Sequence, residues 1–336
     1  MEINKVLITG ITGQIGIYLS AYLLSLGYKV YGLVRDSTHK TENIDGRVIL
    51  LDGDITDSVS VEAIIRKHQF DAVYNLAAIS HIGKSFSQPE LTMNVNASGV
   101  LRLLEAIRQH SPQTRFFQSS TIEMFAGSGL ATVDESTPIS PVSPYSIAKA
   151  AAHQYVKLYR EAYGLKAYTG IFSNCESPYR GHQFVTRKII DWLARYSKDA
   201  NISPLQLGFL DSYRDFGHAK DYVRAVETIV ASDTPSDYMI CTGRANSVRK
   251  FIEAALMHSG FTINWDGSGL KETGRINGKV AITISPEFYR PTNVPILYGN
   301  PARINSVLNW KSSVSFTELV KEMVDFHVYS RTISIL

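Results

Sequence analysis

The run Lys5–Thr9 (KVLIT) leads straight into Gly10-Ile-Thr-Gly13-Gln-Ile-Gly16, after which Ile15, Tyr18, Leu19, Tyr22, Leu23 and Leu26 recur at helical spacing. A buried strand, a turn with three glycines and a helix, in that order, are the opening of an α/β nucleotide-binding unit. Glycine permits the sharp turn and lets backbone N–H groups approach a pyrophosphate at the helix's amino end. The spacing is G-x-x-G-x-x-G, not the dinucleotide G-x-G-x-x-G, so by itself it also fits an ordinary strand–helix connection.

The pattern that follows supports the nucleotide-binding reading. Gly27 is a natural helix stop. Strands are expected at Lys29–Val34, Arg47–Leu51, Asp71–Leu76, Arg115–Ser119 and Lys166–Phe172, with helices at Val61–Lys67, Asn96–Gln109 and from Pro144 to about Tyr163. Ser143 caps the last of these, Pro144 takes its first position and Gly164 ends it. Such alternation predicts an α/β fold with a Rossmann-type, doubly wound parallel sheet. Beyond Phe172 the pattern turns irregular, and Tyr238–Thr242 reads as a strand returning to the main sheet. The expected division is 1–173 for the nucleotide-binding domain and 174–336 for a smaller, interleaved substrate lobe.

The second expected strand ends Val34-Arg35-Asp36. With Val34 at the position where an NAD enzyme holds a ribose-binding acid, Arg35 follows and suits a 2′-phosphate, which favours NADP. Asp36, one place along, keeps NAD as the alternative. Asp54 and Ile55, after the third strand, are placed to border an adenine; Asp54 reads equally well as a turn residue.

Tyr145 and Lys149 in SPYSIAK are four residues apart, on one helix face. A phenol titrates near pH 10, and a neighbouring ammonium favours its ionised form. The pair therefore suits removal of a hydroxyl proton while hydride leaves the same carbon. Ser119-Ser120-Thr121-Ile122-Glu123 closes the fifth strand, and Thr121 is the hydroxyl chosen to bond the reacting oxygen. Glu123 is either a solvated strand-end residue or the base that removes a proton beside a newly made ketone.

Composition closes off other classes. The formal charge is +3 with basic residues spread along the chain, which implies no nucleic-acid surface. The two cysteines, Cys175 and Cys241, form no CxxC pair and suit a reducing cytoplasm. The nine histidines show no paired ligand spacing, so no metal is expected. No apolar stretch is long enough to span a bilayer, and the chain begins in a strand without a signal core.

With these residues in view, the chain resembles the extended short-chain dehydrogenase/reductase superfamily, and within it the GDP-mannose 4,6-dehydratase family. The likeness runs nearly end to end through LITGITGQIGIYL, VYNLAAISHIGKSF, SPYSIAKAAA, ESPYRGHQFVTRKI, DSYRDFGHAKDYV and FYRPTNVPILYGNPARI. The resemblance implies cofactor contacts from Gly10, Gly13, Gln14, Ile15, Gly16, Leu76, Ala77 and Ala78, with Lys149 on the nicotinamide ribose. It places Ser80, His81, Asn174, Glu176, Arg180, Arg187 and Lys188 along a GDP-linked sugar, with Arg214 and Arg290 on the diphosphate; arginine forks suit phosphate. It also implies oxidation at C4, C5 proton removal by Glu123, loss of water from C6 and return of hydride.

Departures from the family's words are specific. Ile15 stands for an acid, Ile122 for a serine, and Ser173 and Cys175 for an aromatic residue and a histidine. The segment after Arg35 is short and lacks the arginine pair that helps build the family's tetramer, so a homodimer is expected before a tetramer. A 4-epimerase, 4-reductase or C4 oxidase of a related sugar, and a non-catalytic NADP-binding regulatory protein, are the alternative readings.

Overall fold

The computed structural model describes residues 3–36, 42–288, 296–333 and 335–336. Seven strands form one parallel sheet: β1 (Lys5–Thr9), β2 (Lys29–Val34), β3 (Ile49–Asp52), β4 (Ala72–Asn75), β5 (Arg115–Thr121), β6 (Ala167–Phe172) and β7 (Asp237–Ile240). Their spatial order is β7-β6-β5-β4-β1-β2-β3. The order reverses at β1 and β4, so the crevice at their carboxyl ends is the natural ligand position.

Alternation along β1 assigns its two faces. Val6 and Ile8 pack with Tyr18, Leu19 and Leu23 of helix Gln14–Ser25 and with Val226 and Ile229 of helix Ala219–Ala231. Leu7 points the other way, onto a layer that includes Val61 and Ile65, Leu103 and Ile107, and Val156. Both faces are covered, which is why these strands read as continuous apolar runs. Each fully buried aliphatic side chain contributes roughly 1.5–3 kcal/mol of transfer free energy.

A second apolar cluster joins helices Val185–Tyr196, Val248–His258 and Phe316–His327 to strands Thr273–Ile276 and Lys279–Ile284. Strand Asn174–Glu176 leaves β6 and pairs in parallel with Phe216–His218. It leads the chain from the sheet towards this second cluster.

Several elements differ from their expected bounds. The strand expected at Tyr238–Thr242 runs Asp237–Ile240, because Thr242 and Gly243 instead donate backbone N–H groups to the buried Asp215 carboxylate. The helix expected from Asn96 begins at Gly99, preceded by one π turn at Asn94–Ser98. The buried Asn96 carboxamide accepts from Ile79 N at 2.8 Å and donates to Ile79 O at 3.0 Å. That side chain clamps the loop after β4, and a single π turn at such a site is a common companion of function.

Candidate active site

The ends of β1, β4, β5 and β6 open into one cavity of about 960 Å³. Its lining includes the glycine turn, Leu76–Ala78, Ser80, His81, Ser119–Glu123, Tyr145, Lys149, Ser173–Glu176, Arg180, Lys188 and Arg214.

At one end is the turn. Gly10 has φ +67°, and a Cβ there would lie 2.7 Å from the backbone of Ala77. A Cβ on Gly16 would lie 2.5 Å from Ile11. Both glycines are thus required by close backbone approach, and the turn packs directly on the wall after β4. Helix Gln14–Ser25 starts here with no side-chain cap and no acid in its first turn. Its amino-terminal N–H groups and dipole remain directed to the cavity, as an anionic phosphate requires.

The floor is built by backbone periodicity. Ser143 and Ser146 form a reciprocal capping box at the start of helix Pro144–Tyr163, which fixes where its first turn sits. Tyr145 N–H, one of the donors a helix start leaves over, bonds the buried Ser85 hydroxyl at 3.2 Å. One turn on, Lys149 Nζ donates to Ser119 O of β5 at 2.8 Å. Thr121 ends that strand, and its Oγ accepts from Glu123 N at 3.3 Å, which leaves the hydroxyl proton to be donated elsewhere.

The electrostatics of this floor are dominated by burial. Burial pushes the Tyr145 phenol up to about 12, and the Glu123 carboxylate adds to the rise; the Thr121 hydroxyl and the Arg180 cation pull the other way. Burial lowers Lys149 to about 8. The expected help from the Lys149 ammonium is absent from the groups acting on the phenol. Instead, its nearest bond is to a main-chain carbonyl. Glu123 lies on the same cavity as Tyr145, half-buried and close enough to act on it.

The opposite wall carries charge that is already partnered. Glu176 is buried, accepts from Thr186 Oγ at 2.5 Å and pairs with Arg180 at 3.1 Å. Burial raises its carboxyl, against the pull of Arg180 and Thr186. The Arg180 guanidinium stacks on Phe184 with 3.5 Å to the ring centre. Lys188 stands 4.8 Å over the Phe288 ring, and Arg214 donates to Tyr213 O at 2.7 Å. His81 caps the short helix Ile82–Ser87 through Nδ1, which accepts from Lys84 N, and its ring meets Phe184 edge-on. It is therefore both a structural cap and part of the cavity wall.

Not every expected residue reaches the cavity. Arg187 bonds Asp191 at 2.6 Å and the carbonyls of Pro178 and Arg180 at 3.1 and 3.0 Å; it supports the wall from behind. Asp54 accepts from both N and Oγ of Thr56, the turn role, and Ile55 packs in the core against Gly99. Arg35 is exposed beyond the end of β2, outside the cavity lining. Arg290, and the short segment following Asp36 at 37–41, lie outside the described residues. Sequence reading passed over Ser85, whose bond to Tyr145 spans sixty residues, and Phe184, whose position four after Arg180 was available as a signal. Among the described residues no cluster of His, Cys, Asp and Glu is arranged to hold a metal.

A model of the GDP-mannose 4,6 dehydratase family matches residues 7–323. The chain belongs to the GDP-mannose 4,6-dehydratase family. The human GDP-mannose 4,6 dehydratase is 43% identical over 96% of this chain and 90% of its own length. The GDP-mannose 4,6-dehydratase of Sinorhizobium fredii is 43% identical over 95% of each chain. Among solved structures, the Thermus thermophilus UDP-glucose 4-epimerase in complex with NAD superposes with a TM-score of 0.82, at 25% identity over 98% of this chain and all of that one. The dTDP-glucose 4,6-dehydratase of Bacillus anthracis, at 20% identity, shares the fold with a TM-score of 0.78 over 97% of this chain and 96% of that one. The Rossmann-type sheet and the family named by the sequence motifs therefore agree. Among the described residues no helix is long and apolar enough to cross a membrane.

Proposed function

We propose that this chain is a hydro-lyase that converts GDP-mannose to GDP-4-keto-6-deoxymannose. The observation that carries the proposal is the placing of Tyr145, Thr121 and Glu123 around one cavity that also holds the uncapped glycine-turn helix. A redox enzyme alone has no use for a carboxylate beside the phenol. Elimination next to a ketone does.

The turn fits a nicotinamide dinucleotide, because Gly10 and Gly16 let it pack tightly on Ala77 and Ile11 while the helix that follows starts with no side-chain cap and no acid, leaving its N–H groups for a pyrophosphate. When bound, that group supplies hydride acceptance at C4 and hydride return at C6. Tyr145 takes the proton from the C4 hydroxyl. Thr121 donates its hydroxyl proton towards O4 and lowers the cost of the charge developing there. Glu123 removes the proton at C5, acidified by the C4 ketone, and passes it to the C6 hydroxyl as that leaves as water; with hydride returned to C6, C5 takes up one proton, which balances the one Tyr145 removed from O4. Lys149, held to Ser119 O, bonds the ribose.

Glu176, Arg180, Lys188 and Arg214 receive the GDP portion, joined by Arg290 for the diphosphate. NADP is favoured over NAD: Arg35 follows the end of β2, where an NAD enzyme would hold a ribose-binding acid, and its exposed guanidinium would suit a 2′-phosphate. The residues to 173 form the cofactor domain, and most of 174–336 the sugar-nucleotide lobe. The enzyme works in the cytoplasm as a homodimer, for which Ile147, Tyr155 and Leu158 offer an exposed apolar stripe on the Tyr145 helix.

The test is product mass after incubation with GDP-mannose and no added reductant. Loss of one water supports the proposal. Unchanged mass with altered sugar stereochemistry would make the protein an epimerase, and cofactor binding without turnover on any nucleotide sugar would make it a binding protein.

A further inference from the structure

Gln14 directly follows Gly13 and opens helix Gln14–Ser25, yet the bonds of its side chain run to the opposite wall of the cavity. Its Nε2 donates to Cys175 O at 2.8 Å, and its Oε1 accepts from Ser177 Oγ at 2.7 Å. Both ends of the carboxamide are thus engaged on the strand and loop that carry Glu176 and Arg180. Ser177 is buried, and its Oγ also accepts from Tyr179 N at 3.2 Å. One helical turn along, Tyr18 meets the Tyr179 ring edge-on at 5.8 Å. Residues 14 and 18 share a helix face, so one polar and one aromatic contact lock the same loop to the same helix.

We infer that Gln14 is a positioning residue for the nucleotide-sugar wall, not a cofactor ligand. The inference rests on the proposed function, since it takes the loop 175–180 to be part of the wall that receives GDP. Cofactor phosphate would be met at this turn by backbone N–H groups, which no substitution at Gln14 other than proline removes. The Gln14 carboxamide sets the height of Glu176 and Arg180 over the cavity floor. Arg187 and His327, which bond the Pro178 carbonyl, hold the loop from its other side and cannot replace a tie to the glycine-turn helix.

The test is separate titration of NADPH and of GDP into wild type, Gln14→Met and Ser177→Ala by calorimetry, with steady-state kinetics on GDP-mannose. Gln14→Met keeps the side-chain length and loses both bonds; Ser177→Ala loses one of them from the other side. The expected result is roughly a tenfold weaker GDP affinity and a matching rise in KM for Gln14→Met, with a smaller change for Ser177→Ala. NADPH affinity and kcat stay within about twofold of wild type. Lost NADPH affinity with GDP affinity kept in Gln14→Met would overturn the inference, as would unchanged GDP affinity in both variants. Failure of wild type to bind GDP at all would instead overturn the proposed function, and this assignment with it.

Discussion

The floor of the cavity and the wall above it hold their polar groups in opposite ways. On the floor, Tyr145 and Lys149 stand one helical turn apart, and the bonds that fix them run to Ser85 and to a strand carbonyl. No carboxylate pairs with the Lys149 ammonium among the ion pairs of the described residues. On the wall, Arg180 is paired with Glu176 and stacked on Phe184, and Arg187 is paired with Asp191. The floor is set by main-chain geometry and holds its groups ready for a proton. The wall is set by side chains that have already found partners. Substitutions on the floor should therefore act on turnover, and substitutions on the wall on affinity and stability.

The largest expected effect is on the floor. Glu123→Gln should lower dehydration by about 10²–10⁴-fold, the usual contribution of a positioned acid or base, with KM little changed. Slow C4 oxidation should remain visible as reduced-nicotinamide absorbance. Full dehydration by this variant would remove Glu123 from the mechanism.

Next comes Lys149, whose folded-state value is lowered to about 8 by burial. Because the unfolded chain binds that proton more tightly, stability from this site rises with pH between about 8 and the ordinary lysine value near 10.4. Below that window the buried ammonium is a burden, so Lys149→Met should stabilise the protein at pH 7, by up to about 3 kcal/mol in denaturant unfolding, while turnover collapses. A less stable variant at pH 7 would show that the bond to Ser119 O outweighs the burial cost.

The wall gives smaller and different changes. Glu176→Gln leaves Arg180 without its counter-charge; loss of one partner of a buried pair costs about 3–5 kcal/mol, and a glutamine that still accepts from Thr186 should keep the loss below that. KM for the nucleotide sugar should rise with kcat preserved. A kcat effect as large as that of Glu123→Gln would erase the distinction between floor and wall. The smallest expected change in KM is from Arg187→Met, which removes support behind the loop without touching the cavity: KM up by roughly two- to fivefold, while the lost bonds to Asp191, Pro178 O and Arg180 O, about 1 kcal/mol each, show mainly as lower stability.

The floor was legible in the sequence because its rules are local. A glycine turn, a capping Ser143 with Pro144 after it, and a Tyr–Lys spacing of four each specify their geometry within a few residues. The wall was legible only as a set of family words. Nothing in the sequence pattern of Arg187 says that its guanidinium turns to Asp191 and two carbonyls, and Gln14 meets residues more than 160 positions away. Asp54 shows the converse, since a short-range bond to Thr56 decides its role. The π turn before Gly99 had no periodic signature of its own, because it is fixed by the Asn96 clamp on Ile79.

The most direct test of the floor is the fate of a label at C4. GDP-mannose carrying deuterium at C4 should give a product one water lighter, with the deuterium in its C6 methyl group by mass spectrometry and NMR. Water loss with the label washed into solvent, or product of unchanged mass, would contradict the account.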